Sequence, residues 1–263
     1  MFDLDCYLSR IGLDGRPTLA EVHRAHATTI PFENLDPRIG RPVSLAPADI
    51  EHKLLTERRG GYCFEQNLLL KMALEALGAE VDMFLARVRY GVSPGVTRPR
   101  SHLLLRARSG GSSWHADVGF GLGTLLDPLP FGPGAPHDQA GWRFRIVADG
   151  PELVLQEDTE AGWTDLYGFP EQPVHGVDVE TINWWTSTHP HSPFVTGLIV
   201  SSQTTAGTRT TLSDRAGLTL RERTPRESRE REVTLADVPA ILTATFGLEG
   251  FDLDEAGRLR RPA

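Results

Sequence analysis

The 263-residue sequence predicts an α+β protein in three parts: an N-terminal helical bundle, a central antiparallel β-barrel and a C-terminal α/β lid. Three observations carry that expectation. Apolar residues recur every three to four positions up to about residue 80. They then alternate every second residue in short runs between glycines and prolines, the pattern of an antiparallel barrel or strongly bent sheet. Near the end, strand-like runs give way to one helical run. The divisions are set at residues 1–82, 83–182 and 183–263, the last holding an interdomain segment and the lid.

Element by element, Phe2 to Ile11 is amphipathic, with Cys6 among Phe2, Leu4, Tyr7, Leu8 and Ile11 as a packing residue. Thr18 caps a helix over LAEVHRAHATT, and Pro47 with Asp49 opens ADIEHKLLTERR, which Gly60 and Gly61 stop. His23, His26 and His52 fit the surfaces of these helices. From Tyr62 a further helix carries Leu68, Leu69, Met72, Leu74 and Leu77 and ends at Gly78. Strands follow in VDMFLARVRYG, SHLLLRARSGG, SSWHADVGFG, GWRFRIVADG, ELVLQED and GWTDLYGF. The segment from NWWTSTHPHSPF is expected to form a turn or short helix, then strands over 197–204, 208–212 and 217–223, then a helix in LADVPAILTATFG.

Composition narrows the function. A net charge of -8 leaves no basic surface for nucleic acid, and the arginines of RERTPRESRERE alternate with acids, as in a solvated loop or edge strand. No apolar run approaches the ~20 residues of a membrane span, and the N-terminus lacks a signal pattern, so a cytoplasmic protein without a membrane partner is expected. Two cysteines, Cys6 and Cys63, are too few for a disulfide framework and are expected to be thiols.

Cys63 stands in the first turn of a helix, where unpaired N–H groups and the dipole favour an anion. Such a position, beside an imidazolium, lowers a thiol pKa from ~8.5 to ~3.5–7.5. A small buried residue beside a turn is the plainer reading, and a matched base decides between the two. Nine histidines compete. A two-residue turn at Gly110 and Gly111 would pair Ser109 with Ser112 and set His102 opposite Gly119. Asp117 then lies diagonal to His102 on one face, ~7–8 Å away along the backbone, a gap that side chains bridge. A carboxylate there would hold the imidazole tautomer and stabilise its charged form, whereas a bulge at the glycines would invert the parity. His115 shares that parity and opens a metal reading through Cys63, His102, His115 and Asp117, which no CxxC, HxxxH or HExxH spacing supports. His189 and His191 flank Pro190 as turn residues without a matched carboxylate.

The strings IPFENLD (Ile30–Asp36), RGGYCFEQN (Arg59–Asn67), SHLLL (Ser101–Leu105), DVGFG (Asp117–Gly121) and STHPHSPFVTGL (Ser187–Leu198) resemble the arylamine N-acetyltransferase family, in its order across most of the chain. The resemblance implies a cysteine-proteinase-like core with a Cys-His-Asp triad: Cys63 the nucleophile, His102 the proton acceptor and donor, Asp117 the orienter. It implies acetyl-CoA as acyl donor, no metal, a ping-pong reaction and an aromatic amine or hydrazine as acceptor. From the matched strings, Phe32, Phe64, Phe120 and Phe194 would accept the aromatic ring, and Gly119 and Thr196 would lie near the CoA arm. Core packing serves each phenylalanine equally well. Glu33 and Arg59 are expected to pair with each other or with Arg10, while Glu65 complements the helix dipole but opposes a thiolate. The same triad serves two rivals, an amide synthase of the same superfamily that joins an aromatic amine to a polyketide chain, and a Cys-His-Asp hydrolase or transglutaminase-like enzyme. The sequence ends after GRLRRPA where other members carry a further helical stretch, so CoA contacts from that end are not carried over. PLPFGPGAPHDQAG (Pro128–Gly141) reads as a turn-rich wall of the cleft.

Overall fold

The computed structural model describes residues 2–93 and 95–262. Asp3 accepts the Cys6 N–H at 2.9 Å and starts α1 (Leu4–Ile11), which Gly12 ends at φ 72°. Tyr7, Leu8 and Ile11 hold the inward face, so Cys6 is exposed instead of packed. A Thr18–Glu21 capping box starts α2 (Leu19–Thr29). His23 and His26, expected on its surface, are fully buried, because both nitrogens of each ring find partners inside. Next come β1 (Phe32–Glu33), α3 (Leu35–Arg38) and α4 (Pro47–Glu51), which runs on as one wide turn to Thr56. Arg58, at φ 52°, reverses the chain, so this helix ends before the double glycine and not at it. The helix α5 (Cys63–Ala76) follows.

The middle of the chain forms β2 (Glu80–Val88), β3 (His102–Ser109), β4 (Ser112–Ala116), β5 (Leu129–Pro130), β6 (His137–Gln139), β7 (Trp142–Asp149), β8 (Glu152–Thr159) and β9 (Gly162–Pro170). They build one antiparallel sheet in the order β5-β4-β3-β2-β9-β8-β7-β6. The sheet curls into a nearly closed barrel around Phe84, Leu104, Phe144, Leu155, Tyr167 and Phe169. Gly110 and Gly111, at φ 59° and 76°, make the expected two-residue turn, with Ser109 opposite Ser112. The segment 128–141 supplies both edge strands of this sheet and none of the cleft-lining residues, which corrects its expected role as a cleft wall.

Beyond the barrel run α6 (Gly176–Thr188), α7 (Pro193–Thr196), β10 (Ile199–Gln203), β11 (Arg209–Ser213), β12 (Thr219–Arg223), β13 (Ser228–Glu232), α8 (Val238–Phe246), β14 (Asp252–Leu253) and β15 (Leu259–Arg260). With thirteen residues, α6 is longer than the expected turn or short helix. A second sheet, ordered β1-β10-β11-β12-β13, packs Val200 and Leu212 against Val238, Ile241, Leu242 and Phe246 of α8. Its first strand comes from the helical part, with Phe32 opposite Ser201, and so ties the two ends of the chain together. The arginine-rich tract is the exposed β12–β13 hairpin at the far edge, cross-linked by Arg221 and Glu230. Among the described residues no helix is long and apolar enough to cross a membrane.

Candidate active site

Gly60 and Gly61 serve closeness rather than a left-handed turn. A Cβ at Gly60 would lie 2.0 Å from the Pro31 carbonyl oxygen, and one at Gly61 would lie 2.8 Å from Glu65 Cβ. Tight packing there feeds the chain into α5, whose first residue is Cys63, 2% exposed. Glu65 accepts the Tyr62 N–H at 3.0 Å with one oxygen and pairs with Lys53 Nζ at 2.6 Å with the other. Burial raises its pKa to about 7 despite Lys53, which blunts its opposition to a neighbouring thiolate at neutral pH. The Cys63 Sγ lies 3.7 Å from the Ser101 carbonyl. Behind this turn, Arg59 binds Glu33 at 2.6 Å and Asp36 at 2.8 Å. Arg10 instead donates to the carbonyls of Leu54 and Arg58.

The hairpin brings the other two predicted residues together as its parity requires. His102 opens β3, Asp117 follows β4, and His102 Nε2 donates to Asp117 Oδ2 at 2.7 Å. That leaves Nδ1 as the imidazole's free nitrogen. Asp117 is fully enclosed by donors: Tyr167 Oη at 2.7 Å on Oδ2, and Asn67 Nδ2 and the Gly119 N–H, both at 2.9 Å, on Oδ1. Burial would raise its pKa, but the His102 charge and these hydrogen bonds outweigh it and hold the carboxyl well below the usual range. Burial likewise would lower His102, yet Asp117 and, to a smaller extent, the Cys63 thiol push it up to about 10. The imidazolium is thus the favoured form at neutral pH.

His115 sits behind this pair and not in it. Tyr167 spends its proton on Asp117, so His115 Nε2 donates to the Tyr167 oxygen at 2.8 Å. Burial lowers its pKa to about 4. Among the described residues no group of His, Cys, Asp and Glu is arranged to hold a metal ion.

Cys63, His102 and Gly119 line a cavity of about 60 Å3 together with Phe32, Phe120 and Phe194. The Phe120 ring stands edge-on to His102, with centroids 5.2 Å apart. Phe64 does not reach this cavity: it is fully buried, edge-on to Tyr62. Thr196 is exposed on α7 and also lies outside the lining.

The N-acetyltransferase family model matches residues 17–253. The chain is 36% identical over 269 residues to the arylamine N-acetyltransferase of Mycolicibacterium smegmatis, covering 97% of this chain and 94% of that one. The chain belongs to the arylamine N-acetyltransferase family. Among solved structures, M. smegmatis arylamine N-acetyltransferase matches with a TM-score of 0.89 at 35% identity, over 95% of this chain and 93% of that one. Mycobacterium marinum arylamine N-acetyltransferase in complex with CoA matches with a TM-score of 0.88 at 34% identity, over 94% and 93%. Within this arylamine N-acetyltransferase fold, sequence reasoning missed Asn67, Tyr167 and His23, whose Nε2 accepts the Asp117 N–H at 3.1 Å. Asn67 had a signal: it lies one helical turn after Cys63, a polar residue on the inward face. It also missed Asn34, which donates to the carbonyls of Phe194 and Gly197 and so seats α7.

Proposed function

We propose that the protein transfers an acetyl group from acetyl-CoA to the nitrogen of an aromatic amine or hydrazine, in two half-reactions through a Cys63 thioester. The observation that carries this reading is the shared cavity, where the Cys63 thiol and the His102 ring meet while Asp117 holds Nε2 from behind. In the first half-reaction His102 holds the thiol proton as its imidazolium, the Cys63 sulfur attacks the thioester carbonyl, and CoA leaves with that proton as its thiol. In the second the amine attacks the acetyl carbon, its proton passes to His102, and the C–S bond breaks to release the amide. Asp117 orients the ring and favours the imidazolium formed on the way.

Phe32, Phe120 and Phe194 flank the acceptor's ring, whose burial contributes ~25 cal/mol per Å2. Phe64 supports them from the core. Gly119 lies beside the incoming thioester, and Thr196, near Phe194 on α7, borders the route of the CoA arm. In this reading residues 1–82 carry the nucleophile, 83–182 the base and its orienter, and 183–263 the lid. We place the protein in the cytoplasm, where the unpaired thiols of Cys6 and Cys63 stay reduced.

The test is mass spectrometry after incubation with acetyl-CoA. One acetyl group should appear on the Cys63 peptide, vanish on adding an arylamine, and be absent in Cys63→Ala. Cys6→Ala should turn over like the parent, and initial rates at several fixed acetyl-CoA concentrations should give parallel lines. Turnover by Cys63→Ala, or intersecting lines, would refute the scheme.

A further inference from the structure

His115 is a polar ring in an apolar place. It is fully buried on β4 and stacked on Tyr167 with ring centroids 5.9 Å apart, and the rings of Phe169 and Phe131 lie at 5.5 and 6.4 Å. Its cross-strand neighbours are Leu129 on β5 and Arg106 on β3, whose guanidinium pairs with Asp82 and lies over Phe84 and Phe131. A phenylalanine would fill this space without leaving a polar atom behind. His115 leaves one, because among the described residues its Nδ1 has no hydrogen-bond partner. The other nitrogen bonds the Tyr167 hydroxyl, and neither ring lines the cavity that holds Cys63.

The Tyr167 contact fixes the direction of each proton around Asp117. Asp117 stays ionised, so Tyr167 Oη, 2.7 Å from Oδ2, must donate to it, and burial with the Asp117 charge keeps the phenol protonated. Oη then presents lone pairs to His115 Nε2 at 2.8 Å, so that nitrogen carries the proton. The other tautomer would set two lone pairs against each other and bury an unpaired N–H at Nδ1. Asp117 Oδ2 thus ends two hydrogen-bond paths, one directly from His102 Nε2 and one from His115 through Tyr167. A donor bonded to Oη polarises the hydroxyl and strengthens its bond to the carboxylate. His23, on α2, is committed to the Asp117 N–H and the Leu126 carbonyl.

We infer that His115 is a positioning residue for acyl transfer: acting through the Tyr167 hydroxyl, it fixes Asp117 and thereby the orientation of the His102 ring towards Cys63. This rests on the reading of His102 as the base of that reaction.

The experiment compares His115→Phe, His115→Gln, Tyr167→Phe and the double variant His115→Phe with Tyr167→Phe, by steady-state kinetics with acetyl-CoA and an arylamine and by thermal melting. His115→Phe should lower kcat and both kcat/KM values together by about fivefold, the effect of losing one hydrogen bond that acts on the transition state. It should melt no earlier than the parent, because the orphaned Nδ1 leaves with the ring. His115→Gln, whose amide can donate to Oη, should recover most of the rate. In the Tyr167→Phe background the His115→Phe change should cost less than about twofold, since the group it acts through is gone. A parental kcat in His115→Phe overturns the inference. So does a rate loss matched by early melting, which would confine His115 to the scaffold. A His115→Gln no faster than His115→Phe, or losses that multiply with those of Tyr167→Phe, overturn it as well. The acetyl-Cys63 mass of the parent separates the two levels: if it never forms, the reading of the cavity fails, and if it forms while His115→Phe keeps its rate, the role of His115 alone fails.

Discussion

Replacing Gly119 by alanine tests how tightly the start of α5 and the end of the β3–β4 hairpin must fit. An added Cβ would lie 2.7 Å from Cys63 Cα, 2.8 Å from Asn67 Nδ2 and 3.1 Å from the Cys63 carbonyl oxygen. Carbon atoms rest at about 3.5–4.0 Å, so the two backbones must part by roughly 1 Å. Neither can swing aside as a long side chain would. The displacement falls on the Gly119 N–H and Asn67 Nδ2, each 2.9 Å from Asp117 Oδ1. Overpacking of this kind costs ~1–3 kcal/mol, and each kcal/mol lowers Tm by about 2–4 °C in a chain of this size. A ~1 Å misplacement of reacting groups costs about 100-fold in rate. Gly119→Ala should therefore fold, melt a few degrees early and lose about two orders of magnitude in kcat/KM. Gly123→Ala is the control, since its Cβ would make an ordinary contact at 3.4 Å from Leu166 Cδ1. Initial rates with acetyl-CoA and an arylamine, taken well below both melting midpoints, would be set beside calorimetry of the same samples. If Gly119→Ala turns over within about threefold of Gly123→Ala, the contact does not position the reacting groups.

Arg59→Met would leave Glu33 and Asp36 buried with Lys53 as their remaining cation, and should cost ~3–5 kcal/mol, read as a lower urea midpoint. An unchanged midpoint would show the cluster to be energetically neutral. Tyr167→Phe removes the hydroxyl shared by Asp117 and His115, and kcat should fall about tenfold with a loss of ~1–3 kcal/mol in stability. Lost stability with kcat intact would confine Tyr167 to the scaffold. Phe194→Ala should raise KM for arylamines while acetylation of Cys63 continues; loss of acetylation would put Phe194 on the CoA side. Burial depresses His26 to about 3 and His115 to about 4, and His23 in the same direction. Below about pH 6.5 the unfolded chain takes up protons that these rings refuse, so His26 and His115 each cost about 1.4 kcal/mol per pH unit as acidity rises, and His23 acts in the same direction. Glu65, raised to about 7, takes up its proton in the folded state first and offsets about one ring. The urea midpoint should therefore fall between about pH 6.5 and 4.5, and a flat midpoint would mean that the rings titrate freely in the folded protein.

Where local chemistry decides the structure, the sequence was readable. Two glycines in a row between alternating strands demand φ above zero at both, and that one turn sets the parity that joins His102 to Asp117. A capping pattern and an apolar stripe likewise placed α2 and α5. Other features exist only through distant contacts. A two-residue strand has no periodicity, and β1 forms because β10 lies beside it. His23 and His26 read as polar, but an imidazole with both nitrogens bonded packs like an apolar ring, so surface placement by polarity failed. At Gly60 and Gly61 the residue type was visible, but glycine serves both unusual dihedrals and close approach, and only the Pro31 and Glu65 contacts say which.

The packing also holds Cys63 and His102 more firmly than it holds the Phe194 side of the cavity. Leu105, Ala107 and Ala116 of the hairpin share a core with Leu69, Leu70 and Ala73 of α5. On the hairpin's other side Leu104 enters the barrel core beside Tyr167. Helix and hairpin are therefore clamped by two cores, and the separation of Cys63 from His102 follows from side chains that touch no substrate. Phe194 is held differently: it is half-buried on a four-residue helix, seated through two hydrogen bonds from Asn34 to carbonyls. Weakening that seat, as in Asn34→Ala, should shift the acceptor's aromatic wall without moving the pair across the cavity. KM for the amine should then respond more than the rate of Cys63 acetylation does. Equal losses in both half-reactions would mean that α7 and the start of α5 move as one body.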